Sequence, residues 1–353
     1  MDKRRNIQMD IIRGIGMILI VLAHTGSPFD HFVYLFHLAL FFMLSGYFFK
    51  VDNVKDNNSL KNFILKKIKR LYLPYIIANI ICILLNNIFI KNNLYSAISH
   101  NYFTIKDFTY QIIMTLLFSN TTEMVGATWF LPILFSITIV YGIIESLLNK
   151  FTKKSNLIQL FISIVFFYIG KFLISNEIEV LFIGVQFFTC YILFDIGRKF
   201  KLLKLELNKI IKCILLILSF VMLLILNKIG TIELSLNIYT RFRFFIAVSV
   251  LGWIFIYEIS YFISKINVLN RIFEYIGKNT MPIVILHFIV FKFVNLLGII
   301  ITKGDISLMS TFPVLFKGST WWIMYTIFGV LVSLLLNEIL KLIKSKIYIK
   351  QCN

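Results

Sequence analysis

The chain alternates long apolar runs with short connections in which lysine, asparagine and aspartate gather. An α-helix needs about 20 mostly apolar residues to cross a bilayer. Ten such segments are expected, at 11–27, 31–49, 71–90, 128–148, 157–175, 180–197, 210–227, 243–262, 280–299 and 321–340. The apolar stretch at 108–118 is too short to cross and predicts a re-entrant or interfacial helix. The first reversal belongs around Ser27, Pro28, Phe29 and Asp30, because proline and aspartate favour turns. The pattern predicts an all-α polytopic integral membrane protein forming one domain over 1–353, with a basic segment at 50–70 and a tail at 341–353.

Composition agrees with that environment. Of the 353 residues, 59% are hydrophobic and only 15% charged, more apolar surface than a water-soluble core can hide. Lys3, Arg4 and Arg5 resemble the start of a signal peptide, but no small-x-small cleavage site follows, so a retained first helix is expected. Ten crossings put both termini on one side. Most of the 36 basic residues fall at the N-terminus, in the 50–70, 149–156, 198–209 and 263–279 connections and in the tail, which places both ends in the cytoplasm.

The net charge of +19 is then mainly a topology signal that also suits anionic membrane lipids. Dispersed between segments, these cations form no nucleic-acid groove. High lysine, isoleucine and asparagine content points to an AT-rich bacterial genome and hence a bacterial cytoplasmic membrane. Cys82, Cys190 and Cys213 lie in or beside apolar segments and Cys352 in the tail, so no disulfide framework is expected. Two histidines without a third ligand make no metal site.

Ionisable side chains inside apolar segments cost several kcal/mol and mark paths, gates or reaction centres. Three of the five histidines, His24, His37 and His287, lie in such segments. Arg13 precedes His24 by eleven residues, about 16 Å along a helix, so the arginine belongs near the inner surface and the histidine near the outer end. His24 and His37 are each about six residues from the expected turn and so share a depth. Asp10 is one turn before Arg13 and is placed to pair with it. Gly14 and Gly16, and Ser45 with Gly46, permit close helix approach. Lys66, Lys67, Lys69 and Arg70 gather at the mouth of the third segment, either as a solvated anchor or as a phosphate site. Trp129 opens the fourth segment, as an interfacial anchor or a face for a sugar ring. His287 is expected about seven residues in from the cytoplasmic edge, at the end away from His24. The outer connections at 91–127, 228–242 and 300–319 offer Asp107, Glu123, Glu233 and Asp305.

Asp10-x-x-Arg13-Gly14 followed by His24, then Phe36-His37 and Phe41-Phe42-x-x-Ser45-Gly46-Tyr47, resembles the membrane-bound acyltransferase family 3. Trp129-Phe130-Leu131-Pro132 does so too. The run Ile276-Gly277-Lys278-Asn279-Thr280-Met281-Pro282-Ile283 leading to His287 is similar to the fucose 4-O-acetylase-like and polysaccharide O-acetyltransferase branch. The chain departs from the family pattern in the Leu38-Ala39-Leu40 stretch, where proline is usual, and in lysines that replace an arginine-rich pair before the third segment. No appended hydrolase-like domain is expected.

The resemblance implies transfer of an acyl group, usually acetyl, from cytoplasmic acetyl-CoA to a hydroxyl of a glycan or lipid-linked saccharide at the outer face. It implies His24 as general base, His37 and Arg13 as its partners, and Arg13, Lys66, Lys67, Lys69 and Arg70 as coenzyme A contacts. Trp129, His287 and Asp10 would line or support the acceptor side. A transporter or flippase for a saccharide-linked lipid is the competing expectation, since intramembrane polar residues also mark substrate paths.

Overall fold

The computed structural model describes residues 6–96, 98–152, 154–203 and 207–352. Lys3, Arg4, Arg5, Lys153 and Lys204, counted above among the basic residues, lie outside them. The architecture is helical apart from one two-stranded ribbon, β1 (Ile232–Glu233) with β2 (Ile238–Tyr239). The first helices are α1 (Ile7–Leu22), α2 (Asp30–Tyr34), α3 (His37–Tyr47), α4 (Asn57–Lys67), α5 (Leu73–Leu84), α6 (Asn86–Lys91) and α7 (Ile105–Leu116). They are followed by α8 (Phe130–Phe151), α9 (Ser155–Ser175), α10 (Gln186–Leu202), α11 (Lys209–Asn227) and α12 (Phe242–Ile263). The last are α13 (Asn267–Lys278), α14 (Thr280–Thr302) and α15 (Trp321–Cys352).

Among the described residues, six stretches are long and apolar enough to cross a membrane: Glu123–Phe151, Ser155–Ser175, Lys209–Asn227, Phe242–Ile263, Thr280–Thr302 and Trp321–Ile343. This is a multi-pass membrane protein. The other four expected segments are shorter or interrupted. The first helix has only 16 residues. The second segment breaks between Tyr34 and His37, where Phe36 leaves helical geometry (φ −146, ψ −12), and the third breaks at Leu85. The sixth begins at Gln186, because the chain turns through Gly184 at φ +75 before the helix starts.

The 108–118 stretch is α7, twelve residues held at its start by reciprocal bonds between Thr104 and Asp107. The basic segment is helical as well: α4, capped by Asp56, runs through a π-helical turn at Ile68–Tyr72 into α5. Pro74 has no N–H for the Arg70 carbonyl, and its ring would crowd that carbonyl in regular α geometry; the wider turn relieves both problems.

Two close approaches set the inner frame. A Cβ on Gly14 would collide with the Phe273 carbonyl and one on Gly277 with the Asp10 carbonyl, so α1 and α13 meet backbone to backbone. Gly46 and Gly197 do the same for α3 and α10. Small residues at such crossings let membrane helices gain dispersion contact without a hydrophobic driving force. Arg198, counted above with a basic connection, is instead buried in the bundle. It makes two bonds to Glu145, of 2.7 and 2.8 Å, and one of 2.8 Å to the Tyr141 hydroxyl. Removing either partner would strand a buried charge, so this pair fixes α8 against α10.

Candidate active site

Two side-chain groups lie in order along α14. At its start, a cavity of about 630 Å³ is lined by Arg13, Lys67, Arg70 and Lys278, with Asp10 and Ser45. Asp10 is buried and accepts a 2.8 Å hydrogen bond from the Arg13 guanidinium, the i,i+3 pair that the spacing predicts. The guanidinium also lies 5.1 Å from the Phe48 ring centre. Lys67, partly buried, and Arg70, exposed, line this cavity three residues apart across the π turn, whereas Lys66 and Lys69, also exposed, do not. Burial, with Arg70 and Arg13 nearby, pulls Lys67 down to about 8. Lys278, paired with Glu274 on its own helix, is the cation that sequence reasoning left out of the site. The Gly14–Gly277 contact brings it beside Arg13, a consequence that only the packing reveals.

Two turns into α14, His287 meets His24 with ring centres 5.8 Å apart and near-parallel planes. This corrects the expectation that His287 lies at the far end from His24. The first helix stops at Leu22, and the chain after it folds inward, with Thr25 and Ser27 buried and the Gly26 carbonyl accepting from Gly318 N–H. His24 therefore sits in the turn that follows α1, against His287 and Phe288. It is partly accessible, whereas His37 and His287 are buried.

His287 Nδ1 lies 2.8 Å from the Ile283 carbonyl, and His37 Nδ1 lies 2.9 Å from the Val33 carbonyl. A carbonyl only accepts, so each Nδ1 carries the hydrogen and each neutral ring keeps its lone pair on Nε2. The His287 Nε2 is buried without a hydrogen-bond partner. Tyr34 stands edge-on between His37, at 5.2 Å, and His24, at 6.5 Å. Sequence reasoning missed Tyr34; it falls at the helix break, where periodicity carries no signal. Trp129 lines neither this cluster nor the basic cavity and packs against the main core.

A cavity of four cations thus opens at one end of α1, and a cluster of three imidazoles closes on the other. Residues 6–338 match the family described as an acyltransferase domain. The chain belongs to the membrane-bound acyltransferase family 3. No curated protein and no solved structure matches it. Membership makes it an acyl-transfer enzyme in general terms.

Proposed function

We propose that this acyltransferase moves an acyl group, most simply acetyl, from acyl-coenzyme A to a hydroxyl of a cell-envelope polysaccharide or its lipid-linked precursor. In this reading the bacterial cytoplasmic membrane is crossed ten times with both termini inside, and the enzyme acts as a polysaccharide O-acetyltransferase. The observation that supports it most is the stacking of His24 on His287 just past the end of α1, whose last residue Leu22 is about 14 Å along the helix from Arg13 in a cavity also lined by Lys67, Arg70 and Lys278. Such a cavity suits the phosphates of coenzyme A, and the offset is comparable with the reach of an extended pantetheine arm. The thioester would then arrive among the histidines.

His24 takes the proton from the acceptor hydroxyl as its oxygen attacks the thioester carbonyl carbon. The tetrahedral intermediate collapses with cleavage of the carbon–sulfur bond, and the imidazolium returns its proton to the leaving thiolate. His37 and His287 orient the base and the acceptor, and Arg13 steadies the donor. A covalent acyl-imidazole on His24 is the variant route.

The test is purified protein in liposomes supplied with acyl-labelled coenzyme A and candidate glycans. Label covalently attached to glycan is expected. Glycan crossing the membrane without becoming labelled would overturn the enzyme reading in favour of a transporter.

A further inference from the structure

Five residues beyond His287 along α14, Lys292 lies 4.0 Å from the carboxylate of Glu123, and Glu123 lines a second cavity of about 290 Å³. Its walls differ in kind from those around Arg13. Asn86, Gln111, Asn120 and Thr122 supply neutral amides and a hydroxyl, and Glu123 is the only charged group beside the His100 imidazole among the described lining residues. His100 stacks on Tyr95 with ring centres 4.3 Å apart and lies 3.5 Å from Glu123.

The site is held rigidly from several elements. Asn86 Nδ2 donates to the Asn101 carbonyl at 3.0 Å, and Asn79 on α5 accepts from Thr122 N–H at 2.8 Å. Asn120 Nδ2 donates to Gln111 Oε1 at 2.8 Å, which leaves Gln111 Nε2 and Asn120 Oδ1 for a ligand. Glu123 Oε1 is buried, makes no hydrogen bond and turns toward Lys292 Nζ at 4.0 Å, so Oε2, 3.5 Å from His100, is the oxygen on the side of the cavity. The segment Glu123–Trp129 passes directly over the histidine cluster: Gly126 rests against the Phe288 ring, itself 4.9 Å from His24.

Planar amides, hydroxyls, an aromatic–imidazole stack and one carboxylate acceptor match the alternating hydroxyls and apolar face of a sugar ring. No lysine or arginine is among the described walls, and Lys292 behind Glu123 already donates to the Met309, Ser310 and Thr311 carbonyls, so no cation there is left to balance an acidic sugar. We propose that the cavity bounded by Asn86, Gln111, Asn120, Thr122, His100 and Glu123 binds one neutral or N-acetylated sugar residue of the acceptor and discriminates against uronic acids. Its role as an acceptor subsite rests on the transfer reading above, but its sugar binding is measurable without any transfer.

The experiment is saturation-transfer NMR on the detergent-solubilised full chain, with no acyl donor, against hexose, N-acetylhexosamine and uronic-acid oligosaccharides. Neutral and N-acetylated probes should bind. Gln111→Ala with Asn120→Ala should weaken them about tenfold while leaving coenzyme A affinity unchanged. Should that pair fail to fold, Glu123→Gln carries the test, with a severalfold gain for the uronic-acid probe expected. Preference for uronic acids, absence of saccharide binding, or binding that neither variant alters would overturn the subsite. Sugar binding by a protein that labels no glycan would instead leave the subsite standing and remove the transfer reading.

Discussion

The basic cavity and the neutral pocket flank the same histidines, yet they are made from opposite materials. Around Arg13 the chain uses long cationic side chains from α1, from the end of α4 with its π turn, and from the end of α13, positioned by backbone contact between α1 and α13. Beside Glu123 it uses short amides and hydroxyls on helix ends and loops, tied to neighbouring backbone. Cations on flexible stems adapt to a phosphate from many angles, because Coulomb attraction is weakly directional. Amides hold hydrogen bonds only in narrow geometry and so read shape. On the proposed reading, the difference separates two tasks: retaining one charged donor, and choosing among neutral acceptors.

The largest effect should come from the group between them. His24→Ala is expected to lower acyl transfer by about 10²-fold or more while the protein stays inserted. Labelled-acyl turnover checks this, and near-normal turnover would break the link between the two cavities. Next, Arg13→Gln, which keeps a donor toward Asp10, should raise the apparent KM for acyl-coenzyme A by about tenfold or more. Its acceptor KM should not move; equal changes in both would mean that the cavities are not separate. Lys278→Ala should act in the same direction with a severalfold loss of coenzyme A binding, read by equilibrium binding.

A smaller, pH-dependent effect follows from Lys67. With its amine held at about 8, its charged fraction falls from about nine-tenths at about pH 7 to about one-tenth at about pH 9. Coenzyme A affinity should therefore weaken as pH rises through this window. Lys67→Arg, charged throughout, should flatten that dependence, and a profile identical to the unaltered protein would exclude Lys67 from donor binding. Lys66→Ala with Lys69→Ala should change donor affinity less than about twofold, since exposed charges contribute little. A large loss there would mean that the whole basic run, and not the cavity, holds the donor.

Much of the charged side was legible in the sequence, because helical spacing alone relates Asp10 to Arg13 and Lys67 to Arg70. The density of lysine and arginine at 66–70 could not say which of them turn inward; the π turn ahead of Pro74 decides that. His287 was misplaced for a similar reason. Residue spacing gives depth only along unbroken helices, whereas α1 ends at Leu22 and its connection folds back into the bundle. The neutral pocket had almost no signature. Its amides and hydroxyls are spread from Asn86 to Glu123 without period, and only folding collects them.

The confinement of Arg13, Lys67, Arg70 and Lys278 to one end has an electrical consequence. Carrying one elementary charge through 100 mV is worth about 2.3 kcal/mol. On the proposed reading the phosphates never leave those cations, and only an uncharged acyl group travels on to the acceptor. The membrane voltage then performs no work on the transferred group, so turnover should be the same in energised and de-energised vesicles.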